Sequence, residues 1–164
     1  MEHVVLVADE RPDVPPTDDA GRVRQGAGRF GEQVLPAKHV RALDWMRHLW
    51  HTESGRLSVQ VLQEFYVTTT RKLRPGLTPA EARADVRDLL AWRPVTIGPM
   101  GIESAWSIED RFGLSFWDSL IVAAAQMADC DVLLTEDLQH DLEIDGLRVV
   151  DPFQTPVEAP GLGS

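Results

Sequence analysis

The stretch Leu114-Ser-Phe-Trp-Asp118-Ser-Leu-Ile-Val-Ala-Ala-Ala, followed by Asp131-Val-Leu-Leu-Thr135-Glu136-Asp137, decides the fold of this chain. Its first part predicts an apolar helix with Asp118 in the first turn, and its second part predicts a short buried strand that ends just before Asp137. In an α/β fold, ligand sites are usually built at the carboxyl ends of strands. The two carboxylates, with Glu64 as a third, therefore indicate a site for a hard divalent cation.

Helices and short apolar strands alternate along most of the sequence. Helical spacing of apolar residues predicts helices over residues 36–51, 79–92, 101–111 and 116–128, with Thr78 as the cap of the second of these. A further helix begins at the cap Ser58 and is broken by Pro75-Gly76. Short runs rich in Val, Leu and Ile predict four strands, over residues 4–8, 94–97, 132–134 and 147–150. This alternation predicts an α/β protein with a mainly parallel central sheet covered by helices.

The chain divides into one domain and two unlike ends. Residues 1–36 begin with a strand-like run and continue with an irregular region from Asp9 to Leu35, in which three prolines fall within five residues. We assign residues 37–153 to a single globular domain and residues 154–164 to a loose tail. A chain of 164 residues is long enough for one domain with a proper core.

Composition limits the partners of the chain. The net charge of -10 argues against a broad basic face for nucleic acid, although an acidic cluster that binds a divalent cation can still meet a phosphate. The compact basic run Arg71, Lys72 and Arg74 is a candidate guide for RNA, or simply a solvated helix end. We expect a cytoplasmic protein, since no membrane span or leader peptide is visible. The five tryptophans favour core or interface anchors, and we expect a homodimer packed through helices.

Each carboxylate also has an ordinary structural explanation. Asp118 can complement its helix N-terminus, Asp137 can be a turn residue, and Glu64 can be a half-exposed side chain. The combination is more specific than its members, because metal-assisted phosphodiester hydrolysis needs oxygen ligands from several separate elements.

Three segments resemble the acidic motifs of PIN-domain proteins, especially the VapC-type toxins of bacterial toxin-antitoxin pairs. They are Leu57-Ser-Val-Gln-Val-Leu-Gln-Glu64-Phe-Tyr, Phe116-Trp-Asp118-Ser-Leu-Ile and Leu134-Thr135-Glu136-Asp137-Leu. The resemblance covers about residues 37–153. It implies a PIN-like three-layer α/β/α fold, an endoribonuclease that depends on Mg²⁺ or Mn²⁺, and inhibition by a cognate antitoxin protein.

The resemblance also assigns roles to single residues. Glu64, Asp118 and Asp137 match the catalytic metal ligands, and Thr135 matches the hydroxyl position beside the last of them. Asp9 is the candidate for a further metal ligand, because the family opens with a strand that ends in Asp. Glu136 is left out of the site, since strand alternation directs it outwards.

The beginning of the chain departs from the family pattern. Glu-Arg-Pro follows Asp9 where the family has Thr-Asn and an apolar run. A frameshift is one explanation, because codons for Asp9-Glu-Arg-Pro-Asp-Val, read one base later, can encode Thr-Asn-Val-Leu-Thr-Tyr. A degenerate code permits such matches by chance, so the coding DNA decides this hypothesis.

Two other functions stay open at this point. A catalytically impaired PIN-domain remnant would retain only dimer or antitoxin binding, and the atypical N-terminal segment favours it. A binding protein in which the acids are structural would show no Mg²⁺ or Mn²⁺ affinity that Asp118→Asn removes.

Overall fold

The chain alternates helices with short strands. The computed structural model describes residues 6–8 and 37–157. Its helices are α1 (Ala37–Thr52), α2 (Val59–Val67), α3 (Pro79–Leu89), α4 (Pro99–Phe112) and α5 (Phe116–Met127). Its strands are β1 (Leu6–Ala8), β2 (Gly55–Arg56), β3 (Val132–Leu134), β4 (Glu143–Ile144) and β5 (Leu147–Val150). A π-helical turn, Thr68–Lys72, extends α2, and a 3-10 turn, Leu90–Trp92, extends α3.

Hydroxyl caps determine where three of the helices begin. Ser58 Oγ accepts a hydrogen bond from the Val61 N–H at 3.3 Å, and Ser115 Oγ caps α5 in the same way. At the start of α3, Thr78 and Glu81 form a capping box in which each side chain accepts from the other residue's backbone N–H. These bonds satisfy N–H groups that the first helical turn leaves unpaired. The Ser58 cap and the capping box are confirmed predictions.

The sheet is mixed, with strands in the order β2-β1-β3-β5-β4. β3 and β5 are parallel, whereas β1 is antiparallel to both of its neighbours and β4 is antiparallel to β5. Asp145 and Gly146 join β4 to β5 with φ angles of 52° and 89°, as expected for the tight turn of an antiparallel hairpin. The α/β class is confirmed. The sheet differs from the predicted mainly parallel one because β1 runs against β3 and a hairpin adds β4.

The hydrophobic core lies where α5 packs against β3 and β5. Helix α5 buries the seven consecutive residues from Ser119 to Ala125, and the facing strands bury Leu133, Leu134 and Val149 completely. Burying one such aliphatic side chain contributes about 1.5–3 kcal/mol. Helix α4 packs along α5 and contributes Ala105 and Ile108 to the same core. This packing fixes the start of α5 relative to the end of β3.

Strand pairing explains where the predicted strands differ from the structure. The predicted strand 94–97 is reduced to one parallel bridge between Ser58 and Val95, in which the Val95 N–H donates to the Leu57 carbonyl at 2.8 Å. The sequence did not predict β2 or β4. Each has only two residues, which is too short to show the two-residue period of a strand.

The chain stays packed after β5. Trp45, buried in α1, donates from Nε1 to the carbonyl oxygens of Pro152 and Thr155, both at 3.1 Å. The predicted irregular region, Asp9 to Leu35, and residues 158–164 of the predicted tail lie outside the described residues. Within residues 6–8 and 37–157, no helix has the length and apolar character needed to cross a membrane.

Candidate functional site

Three carboxylates from separate elements line one cleft. Glu64 comes from α2, Asp118 from the first turn of α5, and Asp137 from the loop after β3. The cleft has a volume of about 480 Å³. The other described residues that line it are Gln60, Ser115, Trp117 and Ile121. The structure therefore places three of the predicted metal ligands around a shared space.

Asp118 is held by the cap of its own helix. Ser115 Oγ donates to Asp118 Oδ2 at 2.6 Å and accepts from the Asp118 N–H at 3.2 Å. The carboxylate lies in the first helical turn, where the helix dipole favours negative charge. The capping explanation and the ligand explanation are therefore compatible, since the same arrangement aims Asp118 at the cleft.

Glu64 is oriented by a neighbour one helical turn before it. Gln60 Nε2 donates to Glu64 Oε1 at 3.1 Å. Residues four positions apart share one face of a helix, so both side chains reach the cleft. Glu64 is half-buried, which agrees with its predicted place near the buried face of α2.

The backbone at Asp137 is shaped by Thr135. Thr135 is buried and continues the parallel ladder, because its N–H donates to the Val150 carbonyl at 3.0 Å. Its Oγ1 accepts from the Asp137 N–H at 3.2 Å, which is a hydroxyl-stabilised turn. Thr135 is not among the residues that line the cleft. Its observed contact is therefore with the backbone of Asp137.

Glu136 lies outside the cleft. Its carboxylate forms an ion pair with Lys38 of α1, and it does not line the space that Asp137 lines. The prediction that excluded Glu136 from the site agrees with this position.

Asp9 lies outside the described residues. Ala8, the last described residue before it, pairs with Val132 at the beginning of β3, whereas Asp137 follows the end of that strand. The pairing of β1 therefore adds no support for Asp9 as a metal ligand, and that role stays a prediction.

The donor set of the cleft is chemically suited to a hydrated divalent cation. Among the described residues it contains three carboxylates. Mg²⁺ prefers oxygen ligands, keeps several of its waters and is commonly held by one or two carboxylates. Within the described ranges, no three His, Cys, Asp or Glu side chains converge closely enough to hold one ion together. An ion in this cleft would therefore need waters to complete its coordination.

Sequence reasoning missed several residues of the cleft. Gln60 was detectable from its spacing of four residues before Glu64, and Trp117 directly precedes Asp118. Ile121 carries no signal that distinguishes it from a core residue. The basic run Arg71, Lys72 and Arg74 is exposed after α2, but none of the three lines the cleft.

Sequence comparison agrees with the fold and the cleft. A model of the PIN domain matches residues 36–142, which is more than half of the chain and includes Glu64, Asp118 and Asp137. The match does not include β1 or Asp9. No match was found among curated proteins or among solved structures. The chain therefore belongs to the PIN-domain family, whose members are nucleases that generally depend on divalent metals.

Proposed function

We propose that this protein is a cytoplasmic endoribonuclease that cleaves RNA phosphodiester bonds with Mg²⁺ or Mn²⁺, and that it is the toxin of a toxin-antitoxin pair. The observation that carries the nuclease proposal is the cleft shared by Glu64, Asp118 and Asp137. The toxin role is supported by the resemblance of the three motifs to VapC-type proteins.

In this proposal Glu64, Asp118 and Asp137 would bind the cation partly through its coordinated waters, since the three carboxylates do not converge on one ion. When bound, the ion neutralises charge on the phosphate and lowers the pKa of a coordinated water. Glu64 and Asp118 accept hydrogen bonds from the neutral side chains of Gln60 and Ser115. Because these neutral donors orient the carboxylates without cancelling their charge, both groups can attract a cation into the cleft.

The test is cleavage of a defined RNA in Mn²⁺ or Mg²⁺, with EDTA and Asp118→Asn as controls. We expect discrete products that both controls abolish. Glu136→Gln is the matched variant, because it removes an acid next to Asp137 that faces away from the cleft, and it should cleave as the parent does. Cleavage that survives EDTA or Asp118→Asn would contradict the proposal.

The second candidate is an impaired PIN domain that retains only binding functions. It is favoured by the lack of a closely converging group of three ligands among the described residues, together with a family match that begins only at residue 36. Calorimetric titration with Mn²⁺ separates the candidates. A folded protein that neither binds Mn²⁺ nor cleaves RNA would be the impaired form.

An apolar groove between α2 and α3 supports the proposed antitoxin partner. The groove has a volume of about 520 Å³, and its lining includes Leu62, Tyr66, Val86 and the half-exposed Leu90. Arg83 and Arg87, one helical turn apart on α3, line the same groove. In a chain with a net charge of -10, two cations beside an apolar groove complement a segment with acidic and apolar side chains. We assign the groove to such a segment of the antitoxin.

This assignment is tested by titration with a labelled helical peptide that presents acidic and apolar side chains. Leu90→Asp and the double variant Arg83→Glu/Arg87→Glu should each weaken binding while RNA cleavage stays unchanged. The proposed homodimer is measured separately by light scattering. If Leu90→Asp separates a dimer and leaves peptide binding intact, a second copy of the chain occupies the groove instead.

A further inference from the structure

Trp117 is a large aromatic side chain exposed at the mouth of the carboxylate cleft. It is 63% exposed, whereas Trp45 and Trp92 are buried in the core. Leaving a tryptophan in water forgoes the stabilisation that its burial would supply. Trp117 directly precedes Asp118 and lines the cleft with all three carboxylates. Its exposure at this position therefore points to a ligand.

The Trp117 ring is carried by a rigid part of the fold. It is the second residue of α5, whose start is fixed by the Ser115 cap. The preceding Phe116 packs against the hydrophobic core and meets the Trp117 ring at a centroid distance of 5.6 Å and an angle of 64°. The two rings are inclined rather than stacked, and this contact leaves most of the Trp117 side chain exposed.

The negative charge of the cleft favours RNA contacts that are made by uncharged side chains. Three carboxylates line it and the whole chain carries a net charge of -10, so the field around the site repels a phosphate backbone. Stacking of a nucleobase on an aromatic ring attracts the strand through an uncharged surface and tolerates any base sequence. Only a base that is not already stacked within a duplex can offer its face in this way.

We propose that Trp117 is a substrate-positioning residue that stacks on an unpaired nucleobase next to the phosphate that is cleaved at the cleft of Glu64, Asp118 and Asp137. The inference rests on the proposed ribonuclease function, and it requires that the base in contact with Trp117 is unpaired. The stacked base fixes the strand at one end of the cleft, and this orients the adjacent phosphate towards the carboxylates.

Binding is measured in the Asp118→Asn background, in which the RNA stays intact, and Asp118→Asn with Trp117 retained is the reference protein. Anisotropy of a labelled single-stranded oligonucleotide should show a dissociation constant on the order of tenfold higher for Trp117→Ala, with a smaller change for Trp117→Phe. Trp106→Ala is the matched control, because Trp106 is also half-exposed, at 48%, but does not line the cleft. A duplex of the same sequence should bind more weakly and be insensitive to Trp117→Ala.

Two further readouts separate stacking from a structural effect. Indole fluorescence should be quenched on RNA binding by the parent and not by Trp117→Phe, and all variants should share the parent's thermal midpoint. An abasic nucleotide placed along the strand should remove the effect of Trp117→Ala at one position only. Equal binding by the Asp118→Asn reference and by its Trp117→Ala derivative, or no measurable binding by that reference, would overturn the proposal.

Cleavage assays of the protein with Asp118 intact distinguish the ribonuclease proposal from the Trp117 stacking proposal. If the protein cleaves RNA and Trp117→Ala leaves kcat and KM unchanged, the nuclease proposal stands and the stacking proposal fails. If RNA binding depends on Trp117 but no cleavage occurs, stacking stands and the nuclease proposal fails.

Discussion

The side-chain amide of Gln60 donates a hydrogen bond to Glu64 at 3.1 Å, and both residues line the carboxylate cleft. This bond limits the rotamers of Glu64 without neutralising its charge. We therefore expect Gln60→Ala to lower kcat/KM for RNA cleavage by roughly two- to tenfold, since a hydrogen bond of this kind contributes about 0.5–1.5 kcal/mol. Initial cleavage rates across a Mn²⁺ titration measure the effect.

Gln63 provides the control for Gln60. It belongs to the same helix, but it lines the groove between α2 and α3 instead of the carboxylate cleft. Gln63→Ala should therefore leave cleavage at the parent's rate. Equal losses in the two variants would show that the effect comes from the helix and not from the orientation of Glu64.

Gathering three carboxylates around one cleft has a cost in stability when no cation is present. Like charges in a partly solvated space repel each other. Glu64→Gln keeps the shape of the side chain and removes one charge, so we expect it to raise the free energy of unfolding in EDTA by about 0.3–1 kcal/mol. Urea denaturation in EDTA at low salt measures this gain, which should shrink as salt is added.

Glu136→Gln and added Mn²⁺ provide the controls for the stability of Glu64→Gln. Glu136→Gln removes an acid that pairs with Lys38 outside the cleft, and it should leave stability unchanged or slightly lower. Added Mn²⁺ should stabilise the parent more than Glu64→Gln, because only the parent retains all three acids. A loss of stability in EDTA on Glu64→Gln would mean that the carboxylate is held by contacts stronger than the repulsion.

Local signals made much of this fold predictable. The hydrogen bonds of the Ser58 cap and of the capping box join residues that are three positions apart in the sequence. The sequence alone therefore predicts where α2 and α3 begin. Sheet pairing depends on residues far apart in the chain. The local sequence pattern therefore could not predict that β1 runs antiparallel to β3. It also could not predict that residues 94–97 form only one bridge, at Val95.

The site was predictable for a similar reason, up to a limit. The motifs around Glu64, Asp118 and Asp137 are continuous in sequence, so resemblance could identify them. The contribution of Trp117 depends on its exposure at the cleft, and a tryptophan beside an apolar helix is more often expected in the core. Composition gave no means of distinguishing it from Trp45, which the structure buries.

Ser119 within α5 and Ser115 at its N-cap should respond in opposite ways to the same substitution. Ser119 Oγ is buried and has no hydrogen-bond partner among the described residues, so Ser119→Ala should be neutral or raise the free energy of unfolding by up to about 1 kcal/mol. Ser115 caps the helix, and Ser115→Ala should lower it by about 0.5–2 kcal/mol. Thermal and urea unfolding of the two variants test the pair. A clear loss on Ser119→Ala would reveal a partner for its hydroxyl.

Arg111 and Asp145 tie α4 to the turn between β4 and β5, and their contribution should depend on pH. The two guanidinium N–H groups donate to the carboxylate at 2.8 and 2.7 Å, and this hydrogen bonding holds the pKa of Asp145 below its usual range. Because the pKa is lower in the folded chain, the pair stabilises the fold above the unfolded pKa of about 3.9, and the stabilisation is lost as the pH falls through the folded value.

The variant Asp145→Asn tests this pH dependence, since Asn tolerates the positive φ at this position. It should lower the urea midpoint at pH 7, and the difference from the parent should shrink as the pH falls below the unfolded value. Arg111→Gln should lower the urea midpoint at pH 7 by the same amount. The double variant Arg111→Gln/Asp145→Asn should lower it no further than either single variant. A difference that persists at the acid end would assign the effect to the turn rather than to the ion pair.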